Sequence, residues 1–496
     1  MTALLAEVLA ETPFQRLASR VPNSANALVL VNVEQAAESP AGTAQGFANK
    51  AEQAFRDGTS PIPPGALRFL LAAELDLEFM SPVWEAAVMD LVRPPSMTAI
   101  AKAYRGQADS IEGFAAVSLP QDAYVLRFGE QTLGVMAPAN RQAVVRWARQ
   151  QSSGPSKLSP YLQQQIADKA ASGDPEISMA IDLDGVIAPQ RVSAALEGLS
   201  WLQDEMIDVA ELTQLLNTVQ GVQIGVRLSE PPTGRIVVNF QRAPKLPPAA
   251  AKRLLLHVLA EKEMLIEDFQ QWQPETHSNS VSLAGSLSPA GIRKLLSLIE
   301  MPAHGAGSAD LAEGISTATA DSAATAAAKT KAYFKGVTAL ADDLQEDMRA
   351  AKNLASTSLF FDKYARRIER LPMLDVDPEM LDYGAFIASQ LREAAGGVRT
   401  MGIRTGARTK GITSANTNSD YYYGGYGYGR YGHGGYGYGG TAAMQNELKA
   451  IEQQRGVVRA EERAVAATSV HEIRAAMIAA TSDIRRKMTE KYRQQF

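Results

Sequence analysis

From Tyr421 to Gly440 the chain carries eight tyrosines, ten glycines, Arg430 and His433, and no aliphatic side chain. Ordering one backbone residue costs roughly 1–2 kcal/mol, and a stretch with nothing to bury cannot offset that cost. The tract, which opens SDYYYGG at Ser419, is therefore expected to be a disordered tether. Whatever folds must do so on either side of it. The chain before it has the apolar patterning of a body, and the chain after it has that of one long charged helix.

The full length of 496 residues allows two or three domains. With 46% hydrophobic and 21% charged residues the composition is that of a soluble globular protein, and any disorder is local. A net charge of -5 creates no whole-molecule field that would gather nucleic acid or an anionic membrane, so a basic partner surface must be a local patch. The absence of cysteine excludes disulfides, thiolate catalysis and cysteine-held metals. In MTALLAEVLAETPFQRLASR the apolar residues are interrupted by Glu7 and Glu11 and no basic run precedes them, so no secretory signal is expected. No stretch approaches the roughly 18–20 uninterrupted apolar residues of a membrane span. The expectation is a cytoplasmic protein.

Along the chain, Ala27 to Val33 (ALVLVNV) has the pattern of a buried strand, whereas Leu67 to Phe79 and Trp84 to Leu91 fit helix or strand. Met97 to Tyr104 reads as a helix, Gly113 to Leu119 and Ala123 to Phe128 as paired strands, and Asn140 as the cap of a helix carrying Val144, Val145 and Trp147. This first α+β unit covers residues 1–150. A second, 157–302, repeats the plan: Ile177 to Leu183 as a strand, Gly221 to Leu228 and Arg235 to Phe240 as a hairpin across PPTG, and Ser288 with Pro289 opening a helix. Pairing GFAAVSL with GVQIGVRL suggests an internal duplication. In both units the helices are expected on one face of antiparallel strands.

The fold class expected is thus α+β, two similar units followed by an all-helical region. An Ala/Ser/Thr-rich linker spans 303–330. In the helical region, 331–395, Tyr333, Val337, Leu340, Leu344 and Met348 mark one amphipathic face, and Phe361, Tyr364, Ile368 and Leu371 mark the next. Asp377 is placed to cap a third helix ending near Arg392. Residues 396–440, first basic through Arg399, Arg404, Arg408 and Lys410 and then Tyr/Gly-rich, are expected to lack secondary structure. Residues 441–496 form the long last helix, striped by Met444, Leu448, Ile451 and Val458 and then by Ile473, Met477, Ile484, Met488 and Tyr492, as in a coiled coil.

The sharpest chemical motif is IDLDGVI, Ile181 to Ile187, which resembles the first motif of haloacid-dehalogenase-type phosphatases. That likeness implies Asp182 as nucleophile and Asp184 as general acid beside Mg²⁺. The phosphatase fold needs a doubly wound parallel sheet, whereas Val222 to Phe240 reads as an antiparallel hairpin, and the acidic pair Asp342 and Asp343 sits inside a helix pattern. The plainer reading is a strand running into an Asp-Gly turn. His257, His277, His304, His433 and His471 show no metal-ligand spacing, and neither a nucleophile elbow nor a phosphate loop is present. Tyrosine stacking and arginine charge in the Arg/Gly/Tyr region leave single-stranded nucleic acid as another possible partner.

Together, ISMAIDLDGVIAPQ, VSLAGSLSPAGIRKLLSLIE, YFKGVTALADDLQ and YGGYGYG resemble a family of uncharacterised bacterial proteins of planctomycete type, over roughly Gly173 to Gly440. The resemblance implies no activity and no site residue. The leading expectation is a non-enzymatic scaffold or protein-interaction protein, with no catalytic residue, metal or cofactor assigned. It would self-associate or bind a partner protein through its C-terminal helices and the Tyr/Gly tract. The alternatives are the Mg²⁺-dependent phosphatase using Asp182 and Asp184, and the nucleic-acid-binding protein.

Overall fold

The computed structural model describes residues 11–44, 46, 47, 49, 52, 55, 62–77, 81–120, 122–152, 157–169, 175–298, 322–349, 354–371, 373, 375–410 and 440–496. The Tyr/Gly tract from 411 to 439, most of the Gln45 to Phe55 segment, and His304 and His433 lie outside these residues.

Among the described residues twelve strands form one sheet. The first seven are β1 (Ala27–Asn32), β2 (Ala66–Asp76), β3 (Ser81–Leu91), β4 (Gln107–Ile111), β5 (Phe114–Leu119), β6 (Ala123–Arg127) and β7 (Thr132–Ala137). The remaining five are β8 (Ile177–Asp182), β9 (Val219–Arg227), β10 (Thr233–Phe240), β11 (Gln273–Thr276) and β12 (Ser280–Ser286). Their order across the sheet is β11-β12-β10-β9-β8-β1-β2-β3-β7-β6-β5-β4. Every neighbouring pair is antiparallel, so the sheet is not doubly wound. The two expected α+β units therefore share one sheet, joined where β1 lies against β8 with Leu28 opposite Ala180. Leu67 to Phe79 and Trp84 to Leu91, which fit either element by pattern, fall on the β2–β3 pair at its centre.

The short helices preceding the C-terminal region are α1 (Pro13–Ala18), α2 (Val33–Glu38), α3 (Pro40–Ala44), α4 (Met97–Ala103), α5 (Arg141–Ser152), α6 (Pro160–Asp168), α7 (Pro189–Glu197), α8 (Ser200–Asp204), α9 (Val209–Leu216), α10 (Pro248–Glu261) and α11 (Pro289–Ser297). They lie on both faces of the sheet, not on one as expected. Strand alternation explains why: Leu28, Leu30, Leu70, Ala72, Ala86 and Val88 face a core closed by Phe14 and Leu17 of α1, Val144 and Trp147 of α5, and Leu162 and Ile166 of α6. The alternate residues Val31, Phe69, Leu71, Ala87 and Met89 face the other core, which takes Ile100 of α4 and Leu295 of α11. A sheet buried on both faces needs helices on both.

Trp272 shows how tightly the second half is packed. Its ring, 1% exposed, lies across Gly234 and Gly285, which are register partners on β10 and β12. A Cβ on Gly285 would come within 2.4 Å of the Trp272 ring. Gly285→Ala is expected to cost about 1–3 kcal/mol through overpacking. Gly129→Ala, whose nearest neighbour would be at 4.0 Å, should stay within about 0.5 kcal/mol. Urea unfolding of the two variants makes the comparison, and equal midpoints would show that Trp272 yields without cost.

The C-terminal region contains α12 (Ser322–Arg349), α13 (Leu354–Glu369), α14 (Pro378–Lys410) and α15 (Gly440–Tyr492). Both amphipathic faces expected from spacing are buried, from Tyr333 through Met348 on α12 and from Phe361 through Leu371 at α13. Asp377 caps α14, accepting from the Glu379 amide at 3.1 Å. Two boundaries move. The helix begins at Ser322, inside the expected linker, with Ala327 and Thr330 already buried. The basic stretch 396–410 is helical, the last part of α14, where an unstructured segment was expected. Helices α10 and α11 pack on α13, and Phe334, Phe360, Leu391 and Met477 belong to the same core as the sheet residues Val31 and Met89. Among the described residues no helix is long and apolar enough to cross a membrane.

Candidate functional site

The Asp182–Asp184 pair is where sequence chemistry was most specific. β8 ends at Asp182, and its Oδ1 accepts the Asp184 amide at 3.0 Å, closing a turn that Gly185 completes at a φ of +70°. Asp184 Oδ1 accepts from the Gln241 side chain at 3.0 Å. On β1 the same place is held by Asn32, whose Oδ1 accepts the Gln35 amide at 3.2 Å. Asp182 and Asn32 thus do one local job, turning the chain at a strand end. The late acidic pair does not join them: Asp343 is buried against Arg293 at 2.7 Å and the Tyr364 hydroxyl at 3.4 Å. Among the described residues no three His, Asp or Glu side chains gather as metal ligands would.

Beside this turn, the Tyr161 hydroxyl donates to Asn239 at 3.1 Å and its ring lies against Gly221. Burial, with the Asp182 charge adding to it, holds the Tyr161 hydroxyl protonated far above the usual tyrosine range. It is a fixed donor, not an acid near neutrality.

Two further polar groupings were not legible. On the β10–β12 pair, Arg235 donates toward His277 Nε2 at 2.9 Å and to the buried Ser282 hydroxyl at 3.1 Å, while Ser282 lies 3.3 Å from that same nitrogen. Because the serine and the guanidinium share one ring nitrogen, this is not a base-activated nucleophile. A surface groove of about 510 Å³ is floored by Leu212 and Leu215 and rimmed by Arg242 and Lys245. Its charges answer one another: Lys245 lies 3.9 Å from Glu211, and Asp208 caps α9.

The most extended feature is the helical arm. Among the described side chains, the last buried on α14 is Ala395 and the first buried on α15 is Val470. Beyond those points Gly396, Gly397, Arg408, Gln453, Val457, Glu461 and Ser469 are exposed. Arg408 reaches Glu461 at 2.8 Å, so the two helices stay side by side as they leave the body. The basic stretch noticed in the sequence forms one side of this arm.

No family model matches the sequence, and no curated protein does. Among solved structures, those of TP0453 in crystal forms I and III are 9% and 10% identical, with TM-scores of 0.33 and 0.34. They match over 57% of this chain and 97% and 96% of theirs. A likeness of that degree carries no argument about function.

Proposed function

We propose that this chain is a non-enzymatic scaffold or protein-interaction protein that associates with itself or with a partner protein through α14, α15 and the Tyr/Gly tract between them. The observation that supports this is the arm. Two paired helices outrun the body by about 15 residues, roughly 22 Å at 1.5 Å per residue, and of the side chains described there Val458 is half-buried and the rest are exposed. An extension whose described side chains are almost all exposed is available to a partner. The body in turn reads as a rigid base built by duplication. Outward from the central pair, one half runs β1-β2-β3-β7-β6 and the other β8-β9-β10-β12-β11, each with its last strand ahead of its second-last. In that correspondence GVQIGVRL matches β2, not the GFAAVSL strand.

Excising residues 398–468 and joining the helices by a short glycine-rich link leaves every position of α14 and α15 described as buried in place. The expected result is loss of association, measured by light scattering and by the pattern of chemical crosslinks to partners. Unchanged association after the excision rejects the arm. Metal-dependent phosphate release from a phosphoester panel, abolished in Asp182→Asn, would replace the scaffold with the phosphatase. Salt-sensitive binding to single strands, lost on excision, would replace the protein partner with nucleic acid.

A further inference from the structure

Between α8, α9 and the loop that follows β10 runs the surface groove of about 510 Å³, a volume within the roughly 300–1,000 Å³ of small-molecule sites. Its floor is Leu212 and Leu215 of α9, 3% and 6% exposed. Ile207 and Leu246 close its sides and pack against the same core. The floor is thus a part of the folded interior that the surface leaves open on one side.

Met206, on the rim, weakens the fold in two ways. It ends α8 in the left-handed region at a φ of +54°, its amide donating to the Gln203 carbonyl at 3.0 Å and the Ile207 amide to the Leu202 carbonyl at 2.8 Å. This paired helix ending takes glycine most readily, because any side chain is strained there. Nor is the side chain packed in compensation, since Met206 is 92% exposed beside the apolar floor. A flexible, polarisable methionine in that place suits a surface that moulds to an apolar ligand.

The charges on the rim select the head group. Glu205 is held by Arg253 at 2.9 Å, Asp208 accepts the Ala210 and Glu211 amides at 2.8 and 3.4 Å, and Glu211 has Lys245 at 3.9 Å. Arg242 is the exception. Among the described residues no carboxylate answers it, and its guanidinium reaches the Glu211 carbonyl oxygen at 3.4 Å, long for a hydrogen bond. A guanidinium holds a planar carboxylate through two parallel bonds. The three acids nearby disfavour a doubly charged head such as phosphate more than a single charge. We infer that the groove binds a small amphipathic monocarboxylate, with its aliphatic body on Leu212, Leu215 and Met206 and its carboxylate on Arg242. This site is separate from the arm, so excising the arm should leave its binding unchanged.

Calorimetric titration of the full chain with octanoate, 1-octanol and octylammonium compares three heads on one body. Octanoate should bind about fivefold tighter than octanol, the upper end for an exposed ion pair. Arg242→Met, at an exposed position, should bring octanoate down to the affinity of octanol and leave octanol unaffected. Met206→Gly should raise the thermal melt, by relieving the left-handed backbone, and weaken octanoate and octanol alike. No binding of octanoate by the native chain, or equal affinity for octanoate and octanol, overturns the inference. Tighter binding of octylammonium overturns it too, because the acids would then set the sign of the site. Full octanoate affinity in either variant does the same.

Discussion

Replacing Arg293 with methionine is expected to destabilise the folded chain by about 3 kcal/mol, read as a lower urea midpoint with an unchanged slope. Arg293 stands on α11, beside the sheet, and Asp343 on α12, in the helical region. The Arg293 Nε lies 2.7 Å from both carboxylate oxygens of Asp343, and its terminal nitrogen lies 2.5 Å from one of them. The Asp343 side chain is 6% exposed, so without Arg293 a carboxylate stays buried with the Tyr364 hydroxyl as a weak donor at 3.4 Å. Hydrogen bonding to Asp343 raises the Arg293 guanidinium above its ordinary range, and burial raises the Tyr364 hydroxyl, so both remain donors at any working pH. The estimate sits at the low end for a broken buried pair because the Arg293 side chain is 52% exposed. Arg293→Met combined with Asp343→Leu should recover most of the loss, since an apolar pair leaves no charge buried alone. A double variant no more stable than the single one would show that the contact matters for its shape and not for its charge.

That pair also shows where sequence reading stops. The α12 stripe that carries Asp343 was legible, because helical periodicity is local. Its partner is 50 residues away in a different layer, and nothing local marks it. The sheet divides in the same way. ALVLVNV and ISMAIDL were legible as strands, but their pairing into one continuous sheet depends on contacts that no short window contains. QADSI and QPET, which became β4 and β11, were missed because they are the two edge strands and are largely exposed, so they lack the alternation that identifies a half-buried strand. The 396–410 helix was missed because Gly396, Gly397, Gly402 and Gly406 each lower helix propensity by about 1 kcal/mol relative to alanine. It continues a helix already anchored by Ile387, Leu391 and Ala395 and lies beside α15. At the candidate site, Asp182 and Asp184 were legible as a motif. The role of each was not, since the Gln241 bond and the equivalence with Asn32 appear only in the fold.

Substituting Asp377 with alanine is expected to cost about 3 kcal/mol, from the loss of a helix cap worth ~1 and of hydrogen bonds to a charged group worth ~1.5–3. One residue, its carboxylate 2% exposed, ties three helices together, two through the carboxylate and the third through its backbone amide. It caps α14, it accepts from Lys491 and from the Tyr492 hydroxyl of α15 at 2.8 Å each, and its own amide donates to the buried Thr330 hydroxyl of α12 at 3.0 Å. Phe496 then closes over Tyr492 and Phe334, with ring centroids at 5.8 and 6.4 Å. Burial alone would raise the Asp377 carboxyl. The bonds from Lys491, Tyr492 and the Glu379 amide outweigh it and hold the group below the ordinary 3.8. A depressed carboxyl stabilises the fold at every pH above its unfolded value and loses that contribution as pH falls through its folded value. The docking of the last turns of α15 should therefore be constant from neutrality to about pH 4 and weaken below it. Asp377→Asn, which keeps a capping oxygen but no charge, should lie below the native chain at neutrality and converge with it in acid. Hydrogen exchange of the amides from Arg486 to Phe496 measures this directly. Equal protection in the native chain and in Asp377→Ala would mean that the apolar stripe of Ile484 and Met488 holds the end of the chain without the carboxylate.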